Sequence, residues 1–240
     1  MFTPAPRIEW PARADLLECF KNAFLLAAAV LVLVLPTKHF NRTSHSTVAS
    51  MSMHAPMHAD FNGQAASRDA QQLAQWVARS GDNHHLNFVI LDKRDARVFV
   101  FDRQAHLIGA SAVLLGAAAG DDSVIGIGKR AIADVRPEER TTPAGRFDAE
   151  PGRNSSGEDV LWVDYDAAVS MHRVRIVDPV ERRLERLASP TPADNRISYG
   201  CINVPVRFFE NTIAHTFKGQ RGVVYVLPEV KSLRAVFPAI

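Results

Sequence analysis

The stretch best equipped for covalent chemistry is Ser198-Tyr199-Gly200-Cys201-Ile202-Asn203. It holds one of the chain's two cysteines; the other, Cys19, lies near the N-terminus. Gly200, with no side chain, leaves room beside the thiol for a carbonyl to approach and for backbone N–H groups to point at it. Ile202 and Val204 follow, then Pro205 and an amphipathic run. This pattern puts Cys201 on a tight turn at a sheet edge, just ahead of a helix whose N-terminus would favour the thiolate. A free thiol, with a pKa of about 8.5, is ionised only to a few per cent at neutral pH and needs a base. His172 is the candidate, on a predicted strand in the right half of the chain. His215 sits on the helix after the nucleophile and faces elsewhere by periodicity. The competing readings are an inert cysteine packed as a small hydrophobe and a histidine packed in the core.

Ser198 to Asn203, His172 upstream, and Thr142-Pro143-Ala144-Gly145-Arg146-Phe147 further upstream together resemble the catalytic domain of the L,D-transpeptidases, bacterial cell-wall enzymes. That family carries a histidine, then Ser/Thr-x-Gly-Cys-apolar-Asn or Arg, with a Thr-Pro-x-Gly-x-aromatic segment before both. The resemblance spans roughly residues 86 to 228. It implies a mainly β fold with a few α-helices, an L,D-transpeptidase-like β-sandwich or barrel with a helix after the nucleophile. It also implies thioester-based acyl transfer on peptidoglycan stem peptides, with carbapenem-type compounds as inhibitors and no cofactor or metal.

The same resemblance distributes the roles. Cys201 is the nucleophile, His172 its base, and Ser198 supplies a backbone or hydroxyl group that fixes the base's tautomer. Asn203 holds the turn or assists the oxyanion, with Tyr199 beside it. The N–H groups of Gly200 and Cys201 are natural oxyanion donors, each often worth about 3 kcal/mol. Three positions depart from the family. Arg173 stands where glycine often follows the histidine, placed to lower the thiol's pKa, to bind a substrate carboxylate or to block the donor site. Tyr199 stands where histidine is frequent. The interval from His172 to Ser198 is long, so Pro179 to Asn195 forms a lid or groove wall. These departures leave the acceptor open: an amine in a transpeptidase, water in an L,D-carboxypeptidase or amidase. A non-catalytic wall-binding module is the third alternative.

The rest of the chain sets the context. It has 240 residues, 47% of them hydrophobic, enough for one domain with a full core plus extra segments. Twenty-eight basic side chains against 26 acidic ones, scattered and without aromatic interleaving, give no case for nucleic acid. Residues 1–37 read as a cytoplasmic tail and signal-anchor. Ala23 to Leu35 is an unbroken apolar run with Arg7, Arg13 and Lys21 before it. This predicts a domain in the periplasm or cell envelope, anchored to the inner membrane or released by signal cleavage, where a lone Cys201 would be reactive rather than disulfide-bonded. Residues 38–66 read as a stalk, whose Met51, Met53, His54, Met57 and His58 offer a weak case for a soft metal ion.

Residues 67–85 form a helical lead-in. Ser67 caps the helix, Ala70, Leu73, Ala74 and Val77 share a face, and Gly81 ends it. The exposed pair His84-His85 follows. The catalytic domain spans 86–230, and 231–240 is a tail. Asn87 to Leu91, Arg97 to Phe101 and His106 to Ser111 are strands of a meander, and Val113 to Ala119 continues the sheet or its edge. Gly126, Gly128 and Lys129 lack the spacing and the Ser/Thr of a phosphate loop. Thr142 to Gly145 reads as a turn, and Glu150 to Asp159 as a polar loop. Val160 to Tyr165, Ala168 to Val174 and Gly222 to Leu227 are strands. Glu181 to Leu187 is a short charged helix, and Pro205 to Phe217 a longer one with Pro at its start.

Overall fold

The computed structural model describes residues 57–240. Cys19, the apolar run 23–35 and residues 51–54 of the Met/His stretch lie outside the described residues. Among those described, no helix is long and apolar enough to cross a membrane.

The protein is mainly β with a few helices. Helix α1 (Arg68–Ser80) begins where the Ser67 hydroxyl accepts from the Ala70 N–H and ends at Gly81 in the left-handed region. Ten strands follow: β1 (Phe88–Asp92), β2 (Arg97–Phe101), β3 (Leu107–Ala112), β4 (Leu115–Gly116), β5 (Gly145–Arg153), β6 (Asp159–Asp164), β7 (Val169–Arg173), β8 (Arg196–Ser198), β9 (Ile202–Val204) and β10 (Gly222–Val226). Helix α2 (Arg183–Ala188) lies between β7 and β8, helix α3 (residues 206–216) between β9 and β10, and helix α4 (Leu233–Val236) near the C-terminus. Phe209–Ile213, the middle of α3, is π-helical.

Eight strands form one sheet in the order β3-β2-β1-β10-β5-β6-β7-β9. β1 and β10 are parallel, as are β7 and β9; the other neighbouring pairs are antiparallel. The chain leaving β3 at one edge immediately reaches the other: Leu114 exchanges both backbone hydrogen bonds with Asn203 of β9, at 2.8 and 2.9 Å. The sheet thus nearly closes on itself, which removes the exposed edge that β9 would otherwise present. β4 then pairs with β8 as a separate two-stranded ribbon.

Period-two alternation divides the apolar side chains between two cores. Val89 and Leu91, Val98 and Val100, and Val224 and Val226 enter one, together with Leu161, Met171, Ile202 and the α3 residues Phe209 and Ile213. Phe88 and Ile90, Phe99 and Phe101, and Val223 and Tyr225 enter the other, beneath α1. Strands buried on both faces explain why β1, β2 and β10 are almost wholly apolar. The second core also takes up Met57, Phe61 and Ala66 and, from the C-terminal segment, Leu233, Val236 and Phe237. Residues 57–66, expected as part of a stalk, therefore pack on the sheet, with Phe61 edge-on to Phe99 and Phe101.

Thr142 to Gly145, expected as a turn, is extended and runs into β5, which continues through Arg153 where a loop was expected. The segment is held straight from three sides. Lys93 Nζ donates to Thr142 O at 2.8 Å, the Ala144 N–H donates to Asp121 O at 2.9 Å, and the Thr142 hydroxyl bridges two further loops.

Candidate active site

The site forms where two parallel strands turn their polar parity to the same side. On β7, Val169 and Met171 enter the core, so Ser170 and His172 face the other way. On β9, Ile202 and Val204 enter the core, which leaves Cys201 and Asn203 on the opposite face. The register pairs Met171 with Ile202 and His172 with Asn203, and so brings Ser170 alongside Cys201.

Cys201 is half-buried, and it is the free cysteine among the described residues. Its Sγ lies 3.5 Å from Ala168 O and 3.8 Å from Ser170 Oγ. Burial alone pushes the thiol pKa up. The His172 imidazole pulls the pKa below that of an ordinary cysteine, helped by Ser170. His172 Nδ1 lies 2.7 Å from Arg173 O. A carbonyl can only accept, so Nδ1 carries the proton and Nε2 is left as the basic nitrogen. The tautomer is fixed by the backbone of the next residue.

Ser198, expected to orient the histidine, is engaged elsewhere. Its hydroxyl donates to Cys201 O at 2.6 Å and accepts from the Gly200 N–H at 3.1 Å, and its carbonyl accepts from the Ala117 N–H. It ties off the turn that carries Cys201. The Gly200 N–H, expected as an oxyanion donor, is therefore already used. The Cys201 N–H has no acceptor among the described residues.

Gly200 has φ 132°, and a Cβ there would sit 2.7 Å from Thr141 O, so only glycine fits. The Thr142 hydroxyl donates to Gly200 O and accepts from the Gly116 N–H, each at 2.9 Å. Asn203 is buried. Its Nδ2 donates to Cys201 O at 3.2 Å and its Oδ1 accepts from Arg183 Nη1 at 2.8 Å. Arg183 belongs to the 179–195 insertion, which is thereby docked against β9. The helix expected from Pro205 starts at residue 206, and β9 lies between it and Cys201.

Arg173, expected to bind substrate, shares strand parity with Met171 and turns away. Its guanidinium lies 4.5 Å from the Phe209 ring centroid and pairs with Glu210 at 3.3 Å, both on α3. Tyr199 is partly exposed, with the Arg140 guanidinium 4.1 Å from its ring centroid. His84, His85 and His215 are exposed, as expected.

Three participants escaped the sequence reading. Ser170 was legible as the residue two before His172 on the same strand. Thr142 was read as part of a turn and of the segment that carries the resemblance, not for its hydroxyl. Lys93, in an apparently solvated turn, is fully buried. Its Nζ contacts Asp121 Oδ1 at 2.8 Å, Gly120 O at 2.5 Å and Glu229 Oε1 at 3.4 Å as well as Thr142 O. Asp121 also accepts from the N–H groups of Glu229, Val230 and Lys231, and this outweighs burial and holds its pKa at about 2.

No family model matches the chain, and no curated protein matches its sequence. Among solved structures, an Enterococcus faecium L,D-transpeptidase aligns with TM-score 0.32 and 13% identity over 59% of this chain and 49% of its own. The Campylobacter jejuni helical cell shape determining protein Pgp2 gives 0.40 and 14% over 69% and 58%. A fused Zn-dependent amidase/peptidase/peptidoglycan-binding domain-containing protein from Clostridium acetobutylicum gives 0.35 and 20% over 70% and 64%. The chain thus spans about half to two thirds of the length of each of the three, and likeness at this level assigns neither family nor activity.

Proposed function

We propose that this protein is a cysteine acyltransferase of the L,D-transpeptidase type, acting on peptidoglycan stem peptides at the cell envelope and held there through residues 23–35. One observation carries the reading. The parallel pairing of β7 with β9 puts His172 and Cys201 on the same face, Arg173 O holds His172 in the tautomer whose Nε2 is basic, and the thiol's pKa is lowered despite burial. A structural cysteine in the same burial would have a raised pKa. The choice of peptidoglycan rests on the motif resemblance at Thr142–Phe147 and Ser198–Asn203.

In the first step His172 Nε2 takes the Sγ proton and the thiolate attacks a peptide carbonyl carbon. The tetrahedral oxygen receives the Cys201 N–H. Collapse breaks the C–N bond, His172 returns the proton to the departing amine, and a thioester remains. An acceptor amine then attacks the thioester and gives its proton to His172. The new C–N bond forms and the thiolate is released.

The test is intact-mass measurement after incubation with a stem tetrapeptide and, separately, with a carbapenem. The expected result is a covalent adduct that Cys201→Ala abolishes and His172→Ala forms far more slowly. Muropeptide product analysis then separates amine from water as acceptor. Absence of any adduct on the folded wild-type chain would leave the wall-binding reading instead.

A further inference from the structure

We infer that Arg140 and Tyr199 form a carboxylate subsite beside Cys201, one that receives the C-terminal carboxylate of the peptide whose last residue is expelled. The inference rests on the acyl-transfer reading for the identity of its ligand, though not for the existence of the subsite.

The segment between β4 and β5 carries three arginines, and two are neutralised within it. Arg130 and Arg136 both bond Glu139, each at 2.9 Å, and Arg136 also approaches Glu138 at 3.5 Å. Their joint hold keeps the Glu139 carboxyl at a pKa of about 2. Arg140 has no carboxylate partner among the described residues. Its Nε and Nη2 reach only Val135 O, at 3.4 and 3.3 Å, long for hydrogen bonds. The side chain is nonetheless half-buried and laid over the Tyr199 ring. Stacking occupies the face of a guanidinium and leaves its edge free, and that edge is the two-pronged donor that matches a carboxylate. A cation held partly out of water without a counter-ion is unfavourable until an anion completes it.

The location fits the chemistry. Tyr199 stands two residues before Cys201, and Thr141 O lies against Gly200. The same segment also reaches the other side of the sulfur. At Gly128 a Cβ would sit 2.4 Å from Asp166 O, so this loop presses on the Asp166–Ala168 turn whose Ala168 O faces Sγ. Arg140 is thus fixed to the framework around the nucleophile. A peptide presenting its penultimate carbonyl to Sγ ends one residue further on in a carboxylate, the group this guanidinium lacks.

The experiment compares alkylation of Cys201 in the full chain by iodoacetate and by iodoacetamide. Each transfers its carbon to sulfur with loss of iodide, and only the first brings a carboxylate. The quantity read is the acetate-to-acetamide rate ratio, divided by the same ratio for free cysteine. The wild type should exceed Arg140→Gln by about two- to fivefold, the span a partly solvated ion pair supports. Arg140→Lys should keep most of the ratio, and Tyr199→Leu, which unseats the guanidinium, should fall between. Equal ratios in wild type, Arg140→Gln and Tyr199→Leu would overturn the subsite. With a stem tetrapeptide and its C-terminal amide, Arg140→Gln should raise KM for the acid and not for the amide. If neither peptide acylates the wild type while the alkylation ratio behaves as stated, the subsite stands and the acyl-transfer reading falls. If both peptides acylate and Arg140→Gln affects them alike, the reverse holds.

Discussion

Replacing Thr142 by valine tests whether the turn that carries Cys201 is held by a single hydroxyl. Valine keeps the branched shape and removes one oxygen. In the wild type that oxygen donates to Gly200 O and accepts from the Gly116 N–H, both at 2.9 Å, with Thr142, Gly116 and Gly200 all buried. Without it, a buried carbonyl and a buried N–H lose their partners, at about 1–3 kcal/mol each, or about 2–6 kcal/mol together. That is a large share of the roughly 5–15 kcal/mol by which a domain is stable. The bond from Lys93 Nζ to Thr142 O uses the backbone and survives. Thr142→Ser keeps the hydroxyl and drops a methyl, a loss of about 1 kcal/mol. Urea unfolding of the three proteins gives the stabilities, and iodoacetamide alkylation at constant pH reports the turn through Cys201. The valine variant should be the least stable and the slowest to alkylate, with serine close to wild type. A valine variant within about 0.5 kcal/mol of serine would refute the reasoning.

The other expectations concern the thiol, its neighbour on β7, the nucleophile's turn and the buried carboxylate. In His172→Gln, burial acts on the thiol without its main opponent, so the inflection of the alkylation–pH profile should move up; each unit lowers the thiolate fraction at neutral pH by about tenfold. An unmoved inflection would remove the histidine from the site. Arg173→Met should leave that inflection in place, because its guanidinium faces Glu210 and Phe209, and should lower stability by about 1 kcal/mol in urea. Gly200→Ala should fold poorly or lose alkylation, since the new methyl meets Thr141 O at 2.7 Å; normal unfolding and normal alkylation together would show the turn to be adaptable. Asp121 is ionised more easily folded than unfolded. Its contribution, about 2 kcal/mol, is present above the ordinary carboxylate range and is lost as pH falls towards 2. The stability gap between wild type and Asp121→Asn should therefore close on acidification, and a gap independent of pH would contradict the assignment.

What could be read from the sequence, and what could not, divides along a physical line. Local pattern reached far: apolar runs over β1, β2 and β10, the capped helix after Ser67, and a histidine on a strand all stand in the structure. Strand parity reaches further still. Once Val169 and Met171 are taken as inward, Ser170 and His172 must share the outer face and Arg173 must not. Alternation alone puts Arg173 on the face opposite His172, the face on which it meets α3. Contacts across long loops were not legible. Asp92-Lys93-Arg94-Asp95 has the composition of a solvated turn, and nothing near it announces that Asp121 and Glu229 will converge on the lysine. Thr142 looked like a turn residue because its partners, Gly116 and Gly200, lie 26 and 58 positions away.

The pairing of β7 with β9 belongs to the same class. It joins strands separated by the whole 179–195 insertion, and period-two patterning says which face a residue takes but not which strand will lie beside it. That choice is made by contacts that close the sheet: Leu114 bonding Asn203, the Asn195 amide donating to Val113 O at 2.8 Å, and Arg183 reaching back to Asn203. All three fix the segment leaving β3, the insertion and β9 against one another. The β9 register that sets Cys201 on the same face as His172 is thereby tied to the closure of the sheet, so loosening that closure should disable Cys201 without any change in the residues that touch it.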